Sequence, residues 1–161
     1  MSAKGAVVEL ARQVRNDTLA FLEMAEERSL FWAPPGTSNH IMWHAGHALW
    51  VQDVLFVEIV TKKSELPPGW AETFGMDCRP VKETRTWPSR GDLHERLVAQ
   101  LDRIVELVSL VPDEMLAANA PAVMDERNLL SALTHGWHDE AKHAGEMYLL
   151  LKMAKANLAA Q

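Results

Sequence analysis

Apolar positions near the start of the chain recur in alternating steps of three and four. Val7, Ala11, Val14, Thr18, Phe21 and Ala25 share one helical face, while Glu9, Arg12, Arg15, Asp17, Glu26 and Glu27 mostly fill the remainder. The segment 30–37 contains Pro34-Pro35-Gly36, which ends that helix. Ser38 or Asn39 then suits the N-cap of a second helix running to about Lys62, whose last turn carries the Lys62-Lys63 pair where the helix dipole favours cations. From Lys63 to Ser89 the pattern is irregular, broken by Pro67-Pro68-Gly69, Gly75, Pro80 and Pro88, with room for a helical turn or two between Gly69 and Gly75. A connection this long often carries function, although a plain crossover between layers reads equally well. Ser89 opens a third helix with Asp92 placed as in a capping box, and Leu93, Leu97, Leu101, Ile104, Val108 and Val111 form its stripe. Pro112-Asp113-Glu114 starts a short turn that ends by Pro121, and Asp125 or Glu126 begins a last helix reaching about Ala156. Four long helices with one long connection between the second and third predict an all-α four-helix bundle, a single domain over 1–161.

Charge narrows the partners. The chain carries 22 acidic against 16 basic residues, a net −6, with its basic residues scattered singly or in pairs. Nucleic acids and anionic membranes are held mainly by concentrated Lys and Arg, so neither is an expected partner. No stretch is long and apolar enough to read as a membrane span, and the N-terminal residues lack the pattern of a secretory signal. Cys78 is the single cysteine, which excludes an internal disulfide and a thiolate metal cluster; with only Arg79 beside it, the thiol reads as structural. A cytoplasmic protein is expected. There is no Gly-rich phosphate loop and no serine in a Gly-x-Ser-x-Gly setting.

The histidines change the picture most. Of the seven, all but His94 lie in two windows, 40–47 and 135–143. At about 100° per residue, His40, His44 and His47 share a face of the second helix, and His135, Asp139, His143 and Glu146 share a face of the last. His138 lies roughly 140° around from His143 and cannot join it on one ion. A divalent transition metal takes N and O donors at ~2.0–2.2 Å, and an i, i+4 pair supplies two of them from adjacent turns. A third must come from a facing helix, which is how bundles build metal sites. Two histidines and a carboxylate leave positions open for water or substrate. The bland alternative is a set of hydrogen-bonded core histidines and a surface Asp–His pair.

The run Trp43-His44-Ala45-Gly46-His47 resembles the second-helix signature of the DinB/YfiT-like family, and Asp139…His143-Ala144-Gly145 resembles its last-helix signature. Trp70…Phe74-Gly75 and Trp87-Pro88-Ser89 also look like members of that family, so the likeness spans about Val7 to Lys152. The resemblance implies an up-down-down-up four-helix bundle, often a homodimer, holding one divalent metal through three side chains. Carried onto this chain, the ligands are His47, Asp139 and His143. The departure is Asp139, where His or Glu is usual. Its side chain is one methylene shorter, and His44 or, less readily, His135 stands as a substitute ligand.

Family members with known activity include transferases and isomerases that use a low-molecular-weight thiol cosubstrate, while others are presumed hydrolases. The expected function is therefore a metal-dependent enzyme acting on a small molecule, with Zn²⁺ or Ni²⁺ the suited ion and Fe²⁺ allowed. His44 and Glu146 are the candidate catalytic side chains, Glu146 as a general base one turn beyond the ligand face. Trp43, Trp50, Trp137 and Tyr148 are candidates for a pocket lining or simply for core. Gly46 and Gly145, each unfavourable in a helix by ~1 kcal/mol, suggest close helix approach near the metal. The competing reading is a non-catalytic bundle, metal-stabilised or ligand-binding, in a stress response.

Overall fold

In the computed structural model, residues 2–76, 86–118 and 128–159 are described, and among them the chain is helical with no strand. The long elements are α1 (Ala3–Met24), α2 (Ile41–Gln52), α5 (Arg90–Leu110) and α7 (Leu129–Ala159). Three short ones, α3 (Glu58–Thr61), α4 (Trp70–Phe74) and α6 (Asp113–Ala117), lie in or near the connections. Cys78, Arg79, Pro80 and Pro121 lie outside the described residues, as do Asp125 and Glu126, the expected start of the last helix.

The ends of these helices follow from local chemistry. Ser2 caps α1 by accepting from the Gly5 amide. At α5 the capping box is complete: the Ser89 hydroxyl accepts from Asp92 N at 3.0 Å, and the Asp92 carboxylate accepts from Ser89 N at 3.1 Å. The N-cap of α2 is His40 rather than Ser38 or Asn39, because its Nδ1 accepts from the Trp43 amide at 3.2 Å. That duty, with Phe31 and Trp87 packed on its ring, turns His40 away from the role its spacing suggested. The second helix does reach Lys62, but through a π turn at Asp53–Val57 that periodicity gave no sign of. Lys62 ends it in the left-handed region, with its ammonium on the Ile59 carbonyl at 2.9 Å. The helical turn allowed between Gly69 and Gly75 is α4.

α7 packs along both α1 and α2, and α5 completes the core against α1 and α2. Two apolar clusters result. One joins Leu22, Trp43, Leu49, Phe74, Leu93, Leu97, Met147 and Leu150; the other joins Val7, Val14, Phe56, Ile104, Val108, Leu133 and Trp137. On each long helix, counting the π turn that continues α2, a polar residue stands between its contributions to the two clusters: Arg15 and Thr18, Gln52, Gln100 and Glu140, all buried. The expected stripes hold, with Val7, Ala11, Val14 and Thr18 buried on α1 and Leu93, Leu97, Ile104 and Val108 on α5. Phe21 and Leu101 are half-buried, while Leu22 and Leu107 take fully inward positions.

Candidate metal centre

His44 and His47 project from the middle of α2, and Asp139, His143 and Glu146 from the facing stretch of α7. Both α2 histidines are buried. Gly46 explains how His47 is held. A Cβ there would land on the Phe74 ring, 2.6 Å from Cζ and nearer still to Cδ1 and Cε1, so glycine lets α4 seat against α2. The Trp70 indole N–H then donates to Gly46 O at 3.0 Å, and the His47 Nδ1–H donates to Phe74 O at 2.6 Å. With its proton committed at Nδ1, His47 presents the Nε2 lone pair to α7. Trp43 stacks on the same ring at 4.5 Å between centroids.

On α7 the four-residue step puts Asp139 and His143 on one face as expected. The Asp139 Oδ2 atom lies 3.6 Å from His47 Nε2 and 3.5 Å from His143 Nε2. Those separations are too long for hydrogen bonds. They match the edge of a tetrahedron of donors around an ion with bonds of ~2.0–2.1 Å, which is roughly 3.3–3.4 Å. The shorter aspartate therefore brings its oxygen beside both imidazoles without any helix shift. The other nitrogen of His143 is anchored: its Nδ1–H donates to Glu146 Oε2 at 2.9 Å, and His44 Nδ1 lies 2.8 Å away.

Two overlapping groups among the described residues could hold a metal ion, His47–Asp139–His143 and His44–His143–Glu146. The second is spaced as hydrogen-bonded partners are, at 2.8, 2.9 and 3.3 Å. The first has donors held apart, each histidine aiming Nε2 inward with Nδ1 bound outside, and its N and O donors fit a divalent transition ion. His135 joins neither group.

The electrostatics agree with a cation-seeking site. Burial alone favours a neutral Asp139, but the imidazoles of His143 and His47 outweigh it and hold the carboxyl far below its usual range. Burial likewise opposes protonation of His143, yet the Asp139 and Glu146 carboxylates prevail and raise its pKa. Nothing rescues His44: burial, then the neighbouring histidines 143, 47 and 40, push its pKa well down.

A family model described as the DinB superfamily matches residues 10–147. The chain belongs to the DinB superfamily. A comparison with curated proteins returns no match. The superfamily is a metal-binding one, and this member brings together His, Asp and Glu groups able to bind a metal.

Other expectations sort themselves on the same geometry. His44 and Glu146 face a cavity of about 490 Å³, whose wall continues over Leu149, Leu150 and Met153 and whose rim includes Ser38 and Asn39. The aromatic residues do not line it together. Trp43 and Trp137 are core, and Tyr148 is largely exposed and stacked on Phe21 at 5.2 Å. Among the described residues nothing lies within 4 Å of a Cβ added at Gly145, so close helix approach does not explain it. The glycine of α7 that does meet a neighbour is Gly136, against the Gln52 amide. The Phe74 carbonyl was not foreseen as a partner of His47; the available signal was Gly46 beside that histidine and the short turn framed by Gly69 and Gly75.

Proposed function

We propose that this DinB-superfamily chain is a metal-dependent enzyme in which His47, Asp139 and His143 hold one divalent transition ion, Zn²⁺ or Ni²⁺ best suiting the donors. The observation that carries the reading is the stand-off of Asp139 from two inward-facing Nε2 atoms at 3.6 and 3.5 Å, each ring fixed from outside. When bound, such an ion supplies Lewis acidity and lowers the pKa of a thiol or water brought to it. We take the reaction to be a transfer or isomerisation using a low-molecular-weight thiol, or a hydrolysis, on a small-molecule substrate entering by the 490 Å³ cavity.

The chain's own groups have distinct parts in this reading. The Phe74 carbonyl keeps His47 in the tautomer that leaves Nε2 free. Glu146 accepts a hydrogen bond from His143 Nδ1–H, which fixes that ring, and from the cavity wall it is placed to accept a proton from an incoming thiol or water. His44, uncharged at neutral pH and buried beside both, supplies a hydrogen-bonding wall that does not repel a cation.

The four long helices are read as one up-down-down-up four-helix domain. The order of the clusters along the chain supports it: α1 and α7 run from the Val7 cluster to the Trp43 cluster, and α5, like α2 with the π turn that continues it, runs the other way. A cytoplasmic homodimer completes the proposal; no helix among the described residues is long and apolar enough to cross a membrane.

Calorimetric titration of a small thiol into zinc-loaded protein tests the thiol branch. Binding that releases a proton and disappears in His47→Ala is expected. Zinc-loaded protein indifferent to thiols would overturn that branch and turn the search to hydrolysis or to a non-catalytic role.

A further inference from the structure

Between the two apolar clusters lies a polar layer that the metal chemistry does not use. The Arg15 guanidinium grips Glu140 with two bonds, Nε to Oε1 at 2.7 Å and Nη2 to Oε2 at 2.9 Å, and both side chains are wholly buried. Thr18 donates to Glu140 Oε1 at 2.9 Å, and Gln52 Nε2 to Oε2 at 3.3 Å. Arg15 also donates to Leu97 O at 2.8 Å and to Gln100 Oε1 at 3.1 Å, while Gln100 Nε2 donates to Leu49 O at 2.8 Å. All four long helices are therefore joined by directional bonds at one level.

Such a layer is a poor way to gain stability. Desolvating an ion pair offsets most of its attraction, and apolar residues of the same volume are often as stable or more so. The layer is not even fully satisfied, since Gln52 Oε1 is buried without a partner among the described residues. What it does provide is register. Apolar faces tolerate sliding and rotation, whereas a two-bond fork has one geometry.

The register it sets is that of the metal ligands. Glu140 follows Asp139 directly, about 100° around α7. Holding Glu140 on Arg15 turns Asp139 and His143 toward α2. On α2 the layer grips Leu49 and Gln52, two and five residues beyond His47, and Gln52 lies so close to Gly136 that a Cβ there would meet its Oε1 at 2.8 Å. We propose that Arg15, Gln52 and Glu140 are positioning residues, which fix the rotation and height of α7 against α2 so that His47 meets Asp139 and His143. The inference rests on the metal reading only for what the register serves.

The test compares wild type with Arg15→Met/Glu140→Leu and with Gln52→Leu. Urea midpoints, Zn²⁺ affinity by chelator competition, and the proton NOE between the His47 and His143 rings in metal-free protein are measured. Those rings stand 4.7 Å apart between centroids. The double variant is expected to bind Zn²⁺ at least about tenfold more weakly and to lose the NOE, with a urea midpoint lowered by the partners that Gln52 Nε2 and Gln100 Oε1 lose. Gln52→Leu should move affinity and NOE the same way, and it decides the matter if the double variant does not fold. A folded variant with Zn²⁺ affinity within about threefold of wild type and the NOE intact overturns the proposal. If wild type takes up no Zn²⁺, the metal reading falls, and the NOE alone then decides the positioning role.

Discussion

Replacing Gly46 by alanine sets a local preference against tertiary packing, and the structure decides which wins. Alanine in a helix interior is favoured over glycine by ~1 kcal/mol. The added methyl, however, falls within the Phe74 ring, and that ring has nowhere to go: Phe74 is 1% exposed, with Trp70 at 4.6 Å and Trp87 at 5.4 Å between centroids. Overpacking of this kind costs about 1–3 kcal/mol. Displacing Phe74 also pulls its carbonyl from His47, a further ~1 kcal/mol for the lost hydrogen bond. The net is a destabilisation of about 1–3 kcal/mol, or roughly 2–10 °C in Tm for a chain of this size. Metal affinity should fall about 10–100-fold as the His47 ring loses its outer partner. Gly145→Ala is the control, since open space surrounds it and the same methyl should add up to about 1 kcal/mol of stability. Urea unfolding and Zn²⁺ competition on both variants give the answer. Gly46→Ala as stable as wild type, or destabilised with its metal affinity unchanged, would refute the account of how His47 is held.

Proton linkage makes the next prediction. In metal-free protein His143 should titrate above the ~6.5 of a free histidine and His44 below it, read by NMR, and Asp139→Asn should bring His143 down. Because the folded pKa of His143 is raised, its contribution to stability is full below the unfolded value and is lost as pH rises through the folded one. A metal must displace that proton, so Zn²⁺ affinity should climb with pH until the raised pKa is passed and then flatten; affinity independent of pH from 5 to 8, roughly that interval, would contradict it. Ser89→Ala should cost ~1 kcal/mol by removing the α5 cap, measured by urea unfolding, and should leave metal affinity alone.

Much of this molecule is legible in its sequence because the signals are local. The stripe from Val7 to Thr18, the Ser89–Asp92 box and the four-residue step from Asp139 to His143 each express a single helix's geometry. What was hidden depends on partners distant in sequence. Arg15 reads from the sequence as one of the charged residues off the α1 stripe, and its burial becomes intelligible only once Glu140 arrives from 125 positions away. The same holds for His47, whose anchor is a backbone carbonyl of α4, a group no side-chain pattern reveals. His40 looked like a member of the histidine face and proved to be a cap, because its ring nitrogen outcompeted Ser38 and Asn39 for the first free amides of α2. Gly145 has no structural explanation here.

Whether His47, Asp139 and His143 hold one ion together is decided by elemental analysis of purified protein. Wild type, His47→Ala, Asp139→Asn and His143→Ala are each loaded with Zn²⁺, desalted and assayed for metal per chain. About one ion per chain is expected in wild type, with loss in all three variants, each still helical by circular dichroism, as a three-donor site requires. Wild type that retains no metal after loading, or an Asp139→Asn variant that holds it as firmly as wild type, would contradict it.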